Sequence, residues 1–473
     1  MRQNIKLFEK ELINFFNSSR DLFKNSDKNT LFSFLFKLDN LEISKFTDSK
    51  FIADKIYFYW RILNEDEEFL GIDKIYTISA NGENRLNETN DQVNKFGDNL
   101  ITNWNQHEFL NIPIFMGGIK FAPNQKSEKW KAYNDSDWFI PRILFLKNSK
   151  GIFLIYNFCN SFDDETNAKN EINNSIELLK NLFSEEIDEF SSPKIEDPIY
   201  TNSYSTWKTQ IENALKNIND GNFNKVVLSR EVNFKLNSLP VISYLLDELS
   251  SKFPRCYTFA YKKENSIFIG ASPEKLAKFS NGWIEIDALA GSAPRGKNLE
   301  EDFEFEQFLL TSEKNLNEQQ SVVNFITNLI ENISDEIYFD EKPIIRKLPN
   351  IQHLWTPIKA KLKIDYKLFD ILLILHPTPA ICGTPWDIAQ NYILQVEEHD
   401  RGLYTGNIGW FNLNGNGEFA VAIRSALINE KNLFAYSGCG IVEGSEPQSE
   451  FEESEIKLKP ILSLFVDEKI YQS

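Results

Sequence analysis

The stretch NIGWFNLNGNGEFAVAIRSALINEKNLFAYSG, residues 407–438, decides the fold class. Apolar runs alternate with two short polar breaks, NGNG (414–417) and NEKN (429–432). Asn and Gly reach the positive φ angles of tight hairpin turns at low cost, so each break reads as a hairpin. Three antiparallel strands are expected: NIGWFNL, EFAVAIRSALI and NLFAYSG.

Upstream, a helical pattern at 204–218 leads through Gly221 into a strand, KVVLSREVNF (225–234). Pro240 opens another helix, VISYLLDEL, and strands follow at YTFAY (257–261), SIFIG (266–270) and WIEIDAL (283–289). A long helical region is expected over about 303–333 and a second helix near 367–376. In the first half IYFYW (56–60), RILFL (142–146) and GIFLIYNF (151–158) read as strands, and ELINFF and IELLKNLF as helix faces. FMGGIKF (115–121) reads as a Gly-Gly bend beside a strand. Hairpins mixed with helices argue for α+β rather than a doubly wound sheet. The polar stretch Ser191–Thr201, with Pro193 and Pro198, marks a boundary between regions 1–200 and 201–473, which are expected to share one core.

The chain has 473 residues, 42% of them hydrophobic, which is ample for a large core. Its net charge of -18 disfavours nucleic acid and anionic membrane as partners. A small anionic ligand is still possible, because it needs only a local group of cations and N–H donors. Cys159, Cys256, Cys382 and Cys439 form no CxxC pair and read as thiols in a reducing compartment. No signal peptide and no run of about 20 apolar residues stands out, so a soluble cytoplasmic protein is expected. His107, His353, His376 and His399 lack metal spacing, which argues against zinc. There is no Walker A loop and no GxGxxG after a strand.

Several residues admit two readings. Lys225 is either a snorkelling edge lysine or a buried base with a lowered pKa. Glu274, in Ser272-Pro273-Glu274, reads as the start of a helix, or as an acid held protonated. Glu318 is a solvated helical residue or part of a carboxylate site. Glu450 and Glu453 share a helical face with Lys457 one turn on, a charged surface or a face for a hard cation. Arg424 lies among Ala420, Ala422, Ala426 and Ile428, where a cation needs an anionic partner, internal or bound. The glycines of SGCGIVEGS (437–445) and LAGSAPRG (289–296) either punctuate turns or let N–H groups converge on a carboxylate.

The segments KVVLSR, SPEKL, ALAGSAPRG, SEKNLNE, HLWTPI, LHPTPAICGTP, DRGLYTGNIGW, AIRSALI and SGCGIVEGSEPQSEFEESEIKL go further when taken together. In order and spacing, over roughly residues 204–465, they resemble the chorismate-utilising enzymes. The first 200 residues resemble the family only loosely. The family comprises isochorismate, salicylate, anthranilate and aminodeoxychorismate synthases. The resemblance implies an α+β fold of two packed antiparallel sheets, helices outside, with the active site in the cleft between. Lys225 stands where water-using members carry lysine and ammonia-using members glutamine, and LHPTPAICGTP (375–385) is similar to the isochorismate synthases.

The implied activity is the magnesium-dependent isomerisation of chorismate to isochorismate. The alternatives are a salicylate synthase and a catalytically silent chorismate-binding subunit. By the same resemblance Lys225 is the base and Glu274 the acid. Glu318 and Glu453 are metal ligands, with Glu450 and Glu313 as supporting acids. Arg424, Lys457 and the N–H groups of Gly438, Cys439 and Gly440 hold substrate carboxylates, and Gly291, Ser292 and Ala293 line the ring. Many relatives are acidic three residues before the metal glutamate, where this chain has Asn315. A monomer is expected, with chorismate as its only partner, feeding menaquinone or siderophore biosynthesis.

Overall fold

The computed structural model describes residues 2–19, 21–22, 30–96, 99–104, 111–124, 127–159, 165–185, 194–199, 203–347 and 351–465. His107 and part of the polar boundary, residues 191–193 and 200–201, lie outside them. Within that boundary Ile195–Ile199 is a strand paired with Lys225–Leu236.

The hairpins of residues 407–438 form where their turn residues place them. Asn407–Phe411 pairs with Gly417–Val421, and Ser425–Asn429 with Asn432–Ile441. The expected middle strand EFAVAIRSALI is corrected, because it is two strands. It breaks at residues 422–424, and Arg424 takes a φ of 51°. The pieces have different neighbours, Lys275–Ser280 for the first and Ser266–Ser272 for the second.

That break separates two layers. The first sheet runs, in hydrogen-bonded order, Ile195–Ile199, Lys225–Leu236, Asn432–Ile441, Ser425–Asn429, Ser266–Ser272, Tyr257–Lys263, Tyr57–Ile62, Glu67–Ala80, Ser136–Asn148, Gly151–Cys159 and Leu31–Leu38. The second runs Phe115–Ile119, Asn407–Phe411, Gly417–Val421, Lys275–Ser280, Trp283–Pro294 and Ile351–Leu362. All these pairs are antiparallel. The sheets join where Phe115–Ile119 pairs with Ser136–Asn148. Each sheet contains strands from both sides of residue 200.

The expected bend at FMGGIKF is therefore corrected to a fully buried strand. Its glycines serve close approach: a Cβ on Gly117 would lie 2.0 Å from the Asp137 carbonyl oxygen, and one on Gly118 2.6 Å from that of Asn407. The helix start expected at Ser272-Pro273-Glu274 is also corrected. Residues 273–274 carry the chain from the first sheet to the second. The Glu274 carbonyl accepts from Val421 N at 3.0 Å and Ser272 Oγ donates to the Val421 carbonyl at 2.5 Å, so a neighbouring strand takes the bonds a helix would have made.

Aromatic side chains fill the space between the layers. Phe69 meets Trp410 edge-on at 5.6 Å, and Trp138 meets Phe411 and Phe419 at 5.3 and 5.9 Å. Outside the first sheet, helices Arg2–Ser18, Glu165–Ser184, Ile242–Lys252 and Pro447–Leu462 bury Leu12, Leu179, Leu245 and Ile461. Glu313–Glu331 lies against the second sheet through Val323, Ile326 and Ile330. The long helical region is split by Ser312, which caps this helix through the Asn315 N–H. Among the described residues, no helix is long and apolar enough to cross a membrane.

Candidate active site

Lys225 opens the strand Lys225–Leu236, beside Asn432–Ile441. Its side chain runs over Gly440: a Cβ added there would lie 2.9 Å from Lys225 Cε and 3.5 Å from Nζ. Burial lowers its pKa, against the pull of the Glu318, Glu274 and Glu453 carboxylates, and Lys457 lowers it further.

Glu274 lies at the crossing between the sheets, and Arg424 lies at the neighbouring crossing, residues 422–424. The two crossings are bonded to one another, Ala271 N donating to the Arg424 carbonyl at 3.1 Å. Burial raises the Glu274 pKa; Arg424, Lys225 and Lys457 oppose the rise, and Asp287 adds to it. Asp287 is itself held by Lys275 at 3.2 Å and Arg346 at 2.7 Å. Burial also lowers the Arg424 pKa, with Tyr404, Cys256, Cys439 and Glu274 opposing. An anion entering beside Arg424 would replace the lost hydration of the guanidinium.

Gly291 has a φ of 63° and forms a bulge in Trp283–Pro294, between the pairs Ala290 with Leu354 and Ser292 with His353. A Cβ there would lie 3.1 Å from that of Asn315, so this residue of the facing helix packs on the bulge. Ser292 Oγ is 2.8 Å from His353 Nδ1. Burial lowers the His353 pKa to about 4, against its hydrogen bond to the Gly291 backbone. Ala293 is buried elsewhere, in a small cluster with Leu309 and Leu354.

The acids come from two helices. Glu450, Glu453 and the Cys439 thiol bring one ligand atom each within 4.8 Å of one another. Lys457 is 2.5 Å from Glu453 and donates to the Gly438 carbonyl at 3.0 Å. Burial raises the Glu450 pKa and pushes the Cys439 thiol up to about 12. Glu318 and Glu313 are exposed on Glu313–Glu331, outside that triad, but the Glu318 charge reaches Lys225 as the Glu453 charge does. Gly438 and Gly440 are not turn punctuation, because both lie within the strand Asn432–Ile441, opposite Ser229 and Val227.

His353 and Tyr404 escaped the sequence reading. A histidine with no second one at metal spacing carries no local signal of a role. Tyr404 lies in a turn that no periodicity marks, yet a Cβ on Gly438 would sit 3.2 Å from its hydroxyl.

Residues 15–466 match the family described as chorismate binding enzyme. The chain belongs to that family. Among curated members it is 33% identical to "Isochorismate synthase MenF" of Bacillus subtilis over 449 residues, 91% of this chain and 92% of that one. It is 31% identical to "Salicylate biosynthesis isochorismate synthase" of Pseudomonas aeruginosa over 347 residues, 73% of each chain. Among solved structures it is similar to the menaquinone-specific isochorismate synthase MenF of Escherichia coli, with a TM-score of 0.78 at 22% identity. That match covers 96% of this chain and 100% of the other. The fold is that of the chorismate-binding enzymes, two antiparallel layers with helices outside.

Proposed function

We propose that the protein is an isochorismate synthase, a cytoplasmic monomer that isomerises chorismate by adding one water and losing the ring hydroxyl. One observation carries the reading furthest: half-buried Lys225 and Glu274 feel each other's charge, with the lysine pKa lowered and the glutamate pKa raised by burial. With ordinary pKa values near 10.4 and 4.3, a neutral lysine and a protonated glutamate would coexist in only about one molecule in a million. Burial moves both groups toward the required state.

Lys225 takes a proton from water. The water oxygen bonds to the ring carbon between the carboxylate-bearing and ether-bearing carbons. The ring double bonds shift, the carbon–hydroxyl bond breaks, and Glu274 gives its proton to the departing hydroxide. Arg424, Lys457 and the N–H groups of Gly438, Cys439 and Gly440 hold the substrate carboxylates. Gly291 and Ser292 form the segment beside the ring, and Ala293 backs it from the cluster with Leu309 and Leu354.

The donor set fits magnesium. Glu450 and Glu453 offer hard carboxylate oxygens, and their partial exposure leaves room for coordinated water. Glu318 would complete the set from the facing helix. The Cys439 thiol, protonated at neutral pH, is no ligand for a hard cation. When bound, magnesium supplies Lewis-acid polarisation of the ring carboxylate and diene.

Chromatography of the products formed from chorismate, with magnesium or with a chelator, tests the reading. Isochorismate formed only with magnesium and without pyruvate is expected. Salicylate with pyruvate would identify a salicylate synthase, and binding without conversion a silent subunit.

A further inference from the structure

The strand that carries Lys225 has an incomplete edge. One side of it is paired with Asn432–Ile441 throughout. On the other side Gly383–Thr384 pairs only with Lys225 and Val226, and Ile195–Ile199 begins beyond, at Asn233. Among the described residues, no strand borders that edge from Val227 to Val232. The Val227 N–H still finds a backbone acceptor, the Cys382 carbonyl at 2.8 Å. The next two polar groups on that edge are met by an ion pair. The Val227 carbonyl accepts from Arg401 Nη2 at 2.7 Å, and the Ser229 N–H donates to Glu397 Oε1, also at 2.7 Å.

Both ions are spent entirely on this task. All five N–H donors of Arg401 are engaged: Nε and one Nη2 hydrogen with Glu397 at 2.8 and 2.6 Å, the other Nη2 hydrogen with Val227, and Nη1 with the Ile381 carbonyl at 3.0 Å and Thr405 Oγ at 3.3 Å. The guanidinium is 4.3 Å from the Phe121 ring centroid. Glu397 also accepts from Ser229 Oγ at 2.9 Å, and His399 Nε2 is 3.0 Å from that same oxygen. Arg401 and Glu397 are buried. A lone charge there would be costly, and a paired one is a rigid directional fixture. It ties three pieces together: the Lys225 strand, the segment around Ile381, and the turn leading to Tyr404.

We propose that Arg401 and Glu397 are positioning residues that set Lys225 for proton abstraction, standing in for a missing strand beside Val227 and Ser229. Neither touches the reacting atoms. The inference rests on the assignment of Lys225 as base, so its test includes Lys225→Met.

Kinetics and thermal melts of Arg401→Lys, Arg401→Met, Glu397→Gln and Ser229→Ala decide it. Lysine keeps the charge but not the planar fork. Arg401→Lys should therefore recover most of the melting temperature lost in Arg401→Met while kcat stays about 30- to 100-fold low, the scale of an ångström-sized misplacement. KM for chorismate should change less than about threefold, because substrate carboxylates are held elsewhere. The limb of the pH–rate profile that Lys225→Met abolishes should move in Arg401→Lys. Ser229→Ala removes the hydroxyl contacts to Glu397 and His399 without removing a charge. It should show a smaller loss in the same direction, and it keeps the test open if the Arg401→Met chain fails to fold. Melting changes with kcat and the pH limb unmoved in Arg401→Lys and Ser229→Ala would overturn the inference and leave Lys225 in place. Undiminished turnover in Lys225→Met would instead overturn the reading of the site itself.

Discussion

Gly440→Ala separates the position of Lys225 from the stability of the sheet. Gly440 lies in a paired strand, and its φ is outside the left-handed region, so the backbone accepts alanine. Loss of unfolded-state freedom alone would favour alanine by about 0.4–1 kcal/mol. The new methyl would, however, sit 2.9 Å from Lys225 Cε, where ordinary contact begins at 3.4–4 Å. The lysine must withdraw by about 0.5–1 Å, which a flexible side chain does at little conformational cost. A displacement of that size at a proton-abstracting group costs about 100-fold in rate, or about 2.7 kcal/mol of barrier. The expected result is a kcat near 1% of the parent, with KM for chorismate and the melting temperature nearly unchanged. Gly438→Ala is the contrast: its methyl would meet the Leu228 carbonyl oxygen at 2.7 Å. A backbone atom in a paired strand cannot swing aside, so there the melting temperature falls. The assay is chorismate turnover followed by product chromatography, beside melts by circular dichroism. A Gly440→Ala enzyme with kcat within about twofold of the parent would refute the placement of the base.

Four further outcomes are expected. Activity should rise with pH as Lys225 loses its proton, at a pH below the ordinary lysine value because burial lowers its pKa; it should fall as Glu274 loses its own, above the ordinary glutamate value because burial raises it. Glu274→Gln should abolish turnover while leaving chorismate binding measurable by calorimetry. Glu453→Ala should weaken magnesium binding at least about tenfold by direct titration and free Lys457 from its 2.5 Å partner, whereas unchanged affinity would remove Glu453 from the ligand set. Trp138→Ala, which opens a cavity between the two sheets where Trp138 meets Phe411 and Phe419, should cost about 3–5 kcal/mol in denaturant unfolding and leave the magnesium requirement intact.

What the sequence made legible is what short-range chemistry decides. NGNG and NEKN placed their hairpins because a turn needs only the residues within it. The strand at Lys225 and the helix at 204 follow from periodicity, as does the helical region of about 303–333 apart from its break at Ser312, and the family motifs bring Lys225, Glu274, Arg424 and Lys457 to notice. The failures share another cause. FMGGIKF needs glycine because Asp137 and Asn407, distant in sequence, press their carbonyls against it. SPEK is not a helix because Val421 takes its backbone bonds. EFAVAIRSALI is two strands because Arg424 stands where the chain changes sheets.

Two of those failures are also where the proposed chemistry lies. Glu274 and Arg424 occupy neighbouring crossings between the layers, bonded through Ala271 and Val421, one passing from first sheet to second and the other returning. A regular strand would turn such residues alternately into the core and out of it. At a crossing the backbone leaves the ladder, and a charged side chain can enter the opening between the sheets while its own main chain stays bonded to the other crossing. Lys225 meets them from a strand whose open edge is closed by Arg401 and Glu397. Departures from regular pairing thus bring Glu274, Arg424 and Lys225 within reach of one another's charges, and long-range backbone bonds and a buried ion pair hold those departures in place. Local pattern carries no record of such partners, so the residues closest to the chemistry are the ones whose setting only the folded chain reveals.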